Sequence, residues 1–312
     1  MKLFLVVPCY NEQEVLPDTA HKLRDKMSSL ISGGKISPES SVVFVDDGSA
    51  DKTWEIIRAL HEHDGMFRGI KLAHNKGHQN ALLCGLMTVK DECDAAISLD
   101  ADLQDDINAI DEMLEKFSQG CDIVYGVRSS RKKDSAFKRG TAQAFYKIMS
   151  ALGVETVYNH ADYRLMSKRA LNALSQYKEV NIFLRGIVPH IGYKTDVVYY
   201  ERGERLAGES KYPLKKMISF AFEGITSFSV KPIRMVTVIG IGIFICSLIY
   251  LLYSLIRYFL GETVRGWTSI IFAILAVGGL QMLSIGIIGE YIGKIYFETK
   301  ERPKYIVEEY IK

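Results

Sequence analysis

Short apolar runs alternate with longer stretches of helical spacing as far as Arg128. LFLVVP (3–8), SVVFVDDGS (41–49), RGIKLA (68–73), DAAISLDAD (94–102) and DIVYGVR (122–128) read as strands. Residues 13–31, 51–63, 77–90 and 106–118 read as helices. Strand–helix alternation of this kind predicts an α/β fold with a mainly parallel, doubly wound sheet. Ligands of such sheets sit beyond the carboxyl ends of the strands. The polar clusters fall at those ends: PCYNE, DDGS, HNKGHQNA and DADLQ follow the first four strands in turn.

The pattern then changes. Met235 to Ile256 and Trp267 to Gly289 contain no charged residue. A bilayer core takes about 20 apolar helical residues, so both stretches are predicted membrane spans. Lys211, Lys215, Lys216, Lys231 and Arg234 precede the first. Lys294, Lys300, Arg302 and Lys304 follow the second, and the loop between carries only Arg257 and Arg265. The positive-inside rule puts both termini on the cytosolic side of a plasma membrane, a bacterial inner membrane by expectation. Just before the first span, Leu214, Met217, Ile218, Phe222, Ile225 and Phe228 recur at helical spacing with lysines on another face. An amphipathic helix in the membrane interface fits, as does a helix packed on the soluble part. The expected organisation is a domain over 1–210, a juxtamembrane helix over 211–233, and two helices plus a cytosolic tail over 234–312.

Composition adds limits. The five cysteines, Cys9, Cys84, Cys93, Cys121 and Cys246, are odd in number and lack metal-ligand spacing, which fits reduced thiols. A net charge of +2 without a basic, aromatic-interleaved motif gives no case for nucleic-acid binding. The apolar start of the chain stops at Pro8, too short for a secretory signal. No GxGxxG or Walker A loop is present, which lowers dehydrogenase and P-loop readings. Gly77 opens a helix whose N–H groups could face an anion, and a glycine that only permits a turn explains it equally well.

SLDADLQDD (98–106) holds four aspartates in nine residues at the end of an apolar strand. Asp105 and Asp106 read as a helix cap and solvated acid. Asp100, Asp102 and Gln104 alternate, and their oxygens suit a hard divalent ion, Mg²⁺ or Mn²⁺, that keeps positions open for phosphates. Solvated acids explain Asp100 and Asp102 alone equally well.

VVPCYNE, VFVDDGSADKT, NKGHQNA, LDADLQD and GVRSSR, in that order, resemble the family-2 glycosyltransferases of GT-A fold. YRLMSKRAL and RLAGESKYPLKKM, followed by two spans, resemble the polyprenyl-phosphate hexose synthases within it. The likeness covers nearly the whole chain. It implies that Pro8, Tyr10, Glu12, Asp47 and Asp100 serve the nucleotide, and that Asp100, Asp102 and Gln104 hold the metal and diphosphate. It implies that Arg128, with Arg131, Lys132, Lys133 and Arg139, approaches the lipid phosphate. Arg202, Arg205, Ser210 and Lys211 match a loop closing over the diphosphates. Asp162 matches an acid near the donor sugar, making Asp162, Asp102 and Arg128 the catalytic candidates. The family's glycine-phenylalanine before the arginine is replaced here by ADYRL, and no QxxRW occurs, against a processive synthase.

The expectation is an inverting, metal-dependent hexosyltransferase. It would move glucose or N-acetylglucosamine from a UDP-sugar to a polyprenyl (undecaprenyl) phosphate, with a homo-oligomer possible through the span glycines. A glycan or protein acceptor, a silent nucleotide-binding scaffold and a transporter are the competing classes.

Overall fold

The computed structural model describes residues 1–129, 160–180, 182–201, 231–260 and 266–312. Arg131, Lys132, Lys133, Arg139, Arg202, Arg205, Ser210, Lys211 and the amphipathic stretch up to Val230 lie outside the described residues.

The five predicted strands form β1 (Leu3–Cys9), β2 (Ser41–Asp46), β3 (Phe67–Leu72), β4 (Ala95–Ser98) and β5 (Ile123–Arg128). Three more complete the sheet: β6 (His160–Ser167), β7 (Thr195–Tyr200) and β8 (Val307–Ile311). The order is β7-β5-β6-β4-β1-β2-β3-β8. β1 to β4 are parallel, as are β5 and β7, while β6 runs antiparallel between β4 and β5. The predominance of parallel pairing matches expectation, and β6 breaks it. Because β6 is reversed, its amino end joins the carboxyl ends of β4, β5 and β7 along one edge.

Every residue of β1 and β2 is buried, the mark of strands covered on both faces. Against one face pack α1 (Leu16–Ser32), α2 (Thr53–His63) and α4 (Ala109–Ser118), with Leu23, Met27, Ile57, Ile110 and Met113 meeting Leu5, Val7, Phe44 and Ile97. Each such fully buried side chain contributes about 1.5–3 kcal/mol. On the other face, α3 (His78–Val89) lies so close that a Cβ on Gly85 would stand 2.4 Å from Val6 Cγ1 and 2.7 Å from Val45 Cγ2. Ser167 closes β6 and caps α5 (Lys168–Leu174) by accepting from the Ala170 N–H at 3.0 Å. α6 (Leu184–His190) follows.

The sequence predicts a tail at the chain's end. Instead β8 pairs antiparallel with β3 and covers its edge, pinned by Arg58 to Glu309 and Lys71 to Glu308.

The described residues fall into two compact units, one holding the sheet and Arg302–Lys312, the other holding two long helices. These are α7 (Lys231–Phe259) and α8 (Trp267–Thr299). They contain the two predicted apolar segments and run past them, 29 and 33 residues against 22 and 23. Taken over the described side chains, no helix is long and apolar enough to cross a membrane. The sequence along the two helices is nonetheless uncharged over the 22 residues from Met235 to Ile256 and the 23 from Trp267 to Gly289.

Candidate active site

The edge where the strands end is built from reversed backbone. Each loop after β1 to β4 contains one residue of left-handed conformation: Asn11 (φ 54°), Gly48 (φ 66°), Gly77 (φ 86°) and Leu103 (φ 41°). Glycine takes such angles freely, whereas Leu103 does so at a cost of about 1–3 kcal/mol that surrounding structure must offset. Its turn lies between Asp102 and Gln104. The Leu103 N–H donates to the Asp100 carbonyl at 3.2 Å, and the Gln104 N–H to Asp102 Oδ1 at 3.3 Å.

The first two loops are stitched together. Asn11 N–H donates to Ser49 Oγ, Ala50 N–H to Asn11 Oδ1, and Glu12 N–H to Thr53 Oγ1, each at 2.9 Å. Pro8 is buried within β1, Tyr10 stands exposed at its end, and Glu12 is half-buried. Asp47 is buried and its two oxygens accept from the N–H groups of Lys76 (2.7 Å) and Gly77 (2.8 Å). The anion facing the backbone before α3 is thus the chain's own carboxylate. Burial raises the Asp47 carboxyl and those two amides lower it again, with a net rise. Its neighbour Asp46 is wholly buried, accepts from the Ser49 N–H, and has an Oδ2 without a hydrogen-bond partner among the described residues.

Register brings the central acids together. β4 pairs with β6 so that Ser98 faces Arg164; two residues further out, Asp100 and Asp162 therefore meet at the same edge. Ser98 Oγ donates to the Asp162 carbonyl at 2.5 Å and fixes the crossing. His78, the first residue of α3, stands between them, its Nε2 3.5 Å from Asp100 Oδ1 and 3.8 Å from Asp162 Oδ2. Partial burial pushes Asp100 up, His78 pulls it down, and the charges of Asp162, Asp105 and Asp102 add to the rise, which prevails.

Asp162 behaves oppositely. Burial alone would raise it, but Arg185 and Arg164 hold it far below the usual carboxylate range. Arg164 is almost completely buried and donates to Asp162 Oδ1 and to the Leu184 carbonyl, and Arg185 reaches Asp162 from α6. Gln79 accepts from the Leu184 N–H at 2.9 Å and ties α6 to the start of α3.

A second carboxylate cluster corrects the sequence reading. Asp106 accepts from the Asn108 N–H at 2.9 Å and closes the turn before α4; it is not the cap expected, since Asn108 precedes the helix and no side chain caps it. Asp105 is neither cap nor solvated. It is 5% exposed and accepts from Arg128 and Tyr200. Sequence reasoning also missed His78, Arg185 and Tyr200 as site residues. The signal for His78 was its place directly after Gly77; for Arg185, a lone arginine in FLRG. Tyr200 gave no signal, because β7 itself was not predicted.

Asp100 and Asp102 present hard oxygen donors beside one another in a crowd of anions. That suits a divalent ion held by one or two carboxylates plus phosphate oxygens. Gln104, the third expected ligand, is buried. No group of three or more His, Cys, Asp or Glu side chains among the described residues forms a cage for a metal on its own. The four cysteines of the sheet unit are buried free thiols, and burial lifts Cys84 and Cys93 to about 12.

A mixed sheet with an acid-lined DADLQ turn at its carboxyl edge defines a glycosyltransferase of GT-A type. The chain belongs to glycosyl transferase family 2, whose model matches residues 4–175, more than half of it. The GtrB C-terminal hairpin matches 231–295, over α7 and α8. The chain is 53% identical over 306 residues to the uncharacterized glycosyltransferase YkoT of Bacillus subtilis (strain 168), covering 98% of this chain and 91% of that one. It is 40% identical over 310 residues to the prophage bactoprenol glucosyl transferase homolog of Escherichia coli (strain K12), covering 99% of each. It is also 40% identical over 311 residues to the bactoprenol glucosyl transferase of Shigella phage SfV, covering 99% of this chain and 98% of that one.

Proposed function

We propose that this glycosyltransferase moves glucose from a UDP-linked donor to a polyprenyl phosphate at the cytosolic face of a bacterial membrane. The observation that carries the reading is Asp162 meeting Asp100 across His78 at the strand-end edge. Support for the acceptor comes from the relatives named bactoprenol glucosyl transferase, which match this chain from end to end, hairpin included.

The chemistry follows from charge. A phosphate monoester has a second pKa near 6, so at neutral pH the acceptor is already an anionic nucleophile and needs no strong base. What the protein must do is hold two anions side by side. Arg128 meets the acceptor phosphate, since a planar guanidinium can present two parallel N–H donors to two of its oxygens. Tyr10 and Glu12, with the loop anchored by Asp47, receive the nucleotide. Asp100 and Asp102 would hold a divalent cation, which when bound offsets charge on the diphosphate. Attack on the face opposite the leaving nucleotide inverts the anomeric carbon. Asp162, kept ionised by two arginines, orients a sugar hydroxyl or stabilises positive charge on the ring. It is too weak a base to take a proton.

We read α7 and α8 as two membrane spans with both chain ends cytosolic. Large apolar side chains stand exposed along them, Ile249 at 64% and Met282 at 71% among others, as hydrocarbon surroundings would favour. Lysines and arginines flank the pair on one side.

The test is to incubate membranes containing the protein with labelled UDP-glucose, UDP-N-acetylglucosamine and GDP-mannose, then extract with organic solvent. Label from UDP-glucose should become lipid-soluble. Label that stays with protein or aqueous glycan in every case would replace the lipid acceptor with another.

A further inference from the structure

We propose that Asp105 and Tyr200 are positioning residues for Arg128, setting the guanidinium that meets the acceptor phosphate. The proposal rests on the function above, in which Arg128 holds that phosphate.

Three donors converge on one oxygen. Arg128 Nε and Nη2 reach Asp105 Oδ1 at 3.2 and 3.1 Å, and Tyr200 Oη reaches the same atom at 2.7 Å. A carboxylate enclosed so far needs partners of this kind, and the turn into α4 does not need it there, since Asp106 fills that part. A guanidinium is planar and its five donors are fixed relative to one another. Holding the Nε–Nη2 edge therefore determines where the Nη1 donors point.

The support behind Asp105 is rigid. Arg128 and Tyr200 are register partners at the ends of β5 and β7, and Ser129 donates twice to the Tyr200 carbonyl, at 2.9 and 3.0 Å. The Tyr200 ring meets Tyr163 edge-on at 5.4 Å, and Tyr163 Oη donates to the Asp106 carbonyl at 3.1 Å. Loop, β5, β6 and β7 thus fix one arginine. A lone surface arginine would lose rotamer freedom on meeting a phosphate; this one is ordered beforehand.

The experiment measures initial rates of the full-length protein in membranes, varying a short polyprenyl phosphate and UDP-glucose separately, with thermal melting alongside. Asp105→Asn should raise KM for the polyprenyl phosphate about tenfold, as expected for a lost charge-assisted contact, with KM for UDP-glucose unchanged. Tyr200→Phe, which keeps the carboxylate, should raise the same KM by about threefold and serves if Asp105→Asn folds poorly. Arg128→Lys keeps charge but not the fork, so adding Asp105→Asn to it should cost no more acceptor affinity. An unmoved acceptor KM in both single variants, a parallel rise in both KM values, or full additivity in the double variant would overturn the positioning role. A wild-type protein that makes no lipid-linked sugar would instead sink the function proposed above.

Discussion

Arg185 grips Asp162 along two parallel hydrogen bonds, Nε to Oδ1 at 3.2 Å and Nη2 to Oδ2 at 2.9 Å. Arg164 takes Oδ1 from behind, so one carboxylate answers two guanidinium groups, one of them almost fully buried. Such an arrangement is costly to break from either side.

Asp162→Asn should therefore destabilise the sheet unit. The amide keeps the shape but leaves the buried charge of Arg164 without its counter-ion, a loss of about 3–5 kcal/mol. Adding Arg164→Met should recover much of that stability, since a well-packed apolar side chain replaces a buried ion at little cost. Neither variant should regain transfer. Thermal melting of the single and double variants checks this; equal melting of wild type and Asp162→Asn would refute the ion-pair account.

The same grip sets a pH dependence. A carboxyl depressed in the folded state adds stability that is complete above its unfolded value, about 3.9, and is lost as pH falls toward the folded one. Asp162 is held far below the usual range, so its ionisation should leave no mark on kcat between roughly pH 5 and 8. Arg185→Gln removes the guanidinium that lowers the Asp162 carboxyl most and should move an acid limb upward into the measurable range. The comparison is a pH–rate profile of both proteins at saturating substrates. Superimposable profiles would mean that Asp162 does not depend on Arg185.

Asp100 should show the opposite trade. Partial burial and the neighbouring acids raise its carboxyl against the pull of His78, so with no cation bound its ionised form works against the fold. A raised folded value means that stability is greatest at low pH and falls as pH rises through it. Asp100→Asn removes that repulsion. In protein washed with chelator the variant should melt above wild type, and with the divalent ion restored its transfer should fall about 100-fold or more below wild type. A lower melting temperature would show that the acid is structurally required.

Much of this was legible beforehand because parallel strands buried on both faces leave continuous apolar runs, and their loops leave dense polar punctuation. The first five strands, the four helices between them and the acids of DADLQ came from that contrast alone. β6 was harder to see. His160 to Ser167 mixes charge with apolar residues because Arg164 and Asp162 satisfy each other inside, so the strand does not look buried in sequence. β8 is short, half-exposed and rich in glutamate, as edge strands are, and reads as a tail. Asp105 was misjudged for a related reason. Its partners, Arg128 and Tyr200, lie 23 and 95 positions away, and no local pattern encodes a pairing across that span.

The last prediction concerns the glycine of DDGS. Gly48 lies at φ 66°, and a Cβ there would sit 2.7 Å from the Asn75 nitrogen and 2.8 Å from the His74 carbonyl carbon. Those atoms are backbone, so no side chain can swing aside to make room. The segment they belong to leads directly into Lys76 and Gly77, whose N–H groups Asp47 holds, and then into His78 between Asp100 and Asp162. Gly48→Ala must therefore either strain its own backbone or push that segment off the loop that carries it. Overpacking of this kind costs about 1–3 kcal/mol, and the left-handed conformation adds about 1 kcal/mol for any residue with a Cβ. On the function proposed above, the displacement falls on the loops that would receive the nucleotide rather than on Arg128. Gly48→Ala should thus lower the melting temperature and weaken UDP binding at least tenfold by calorimetry, with KM for the polyprenyl phosphate changed far less. Undiminished UDP affinity would mean that the His74–Gly77 segment does not shape the nucleotide site.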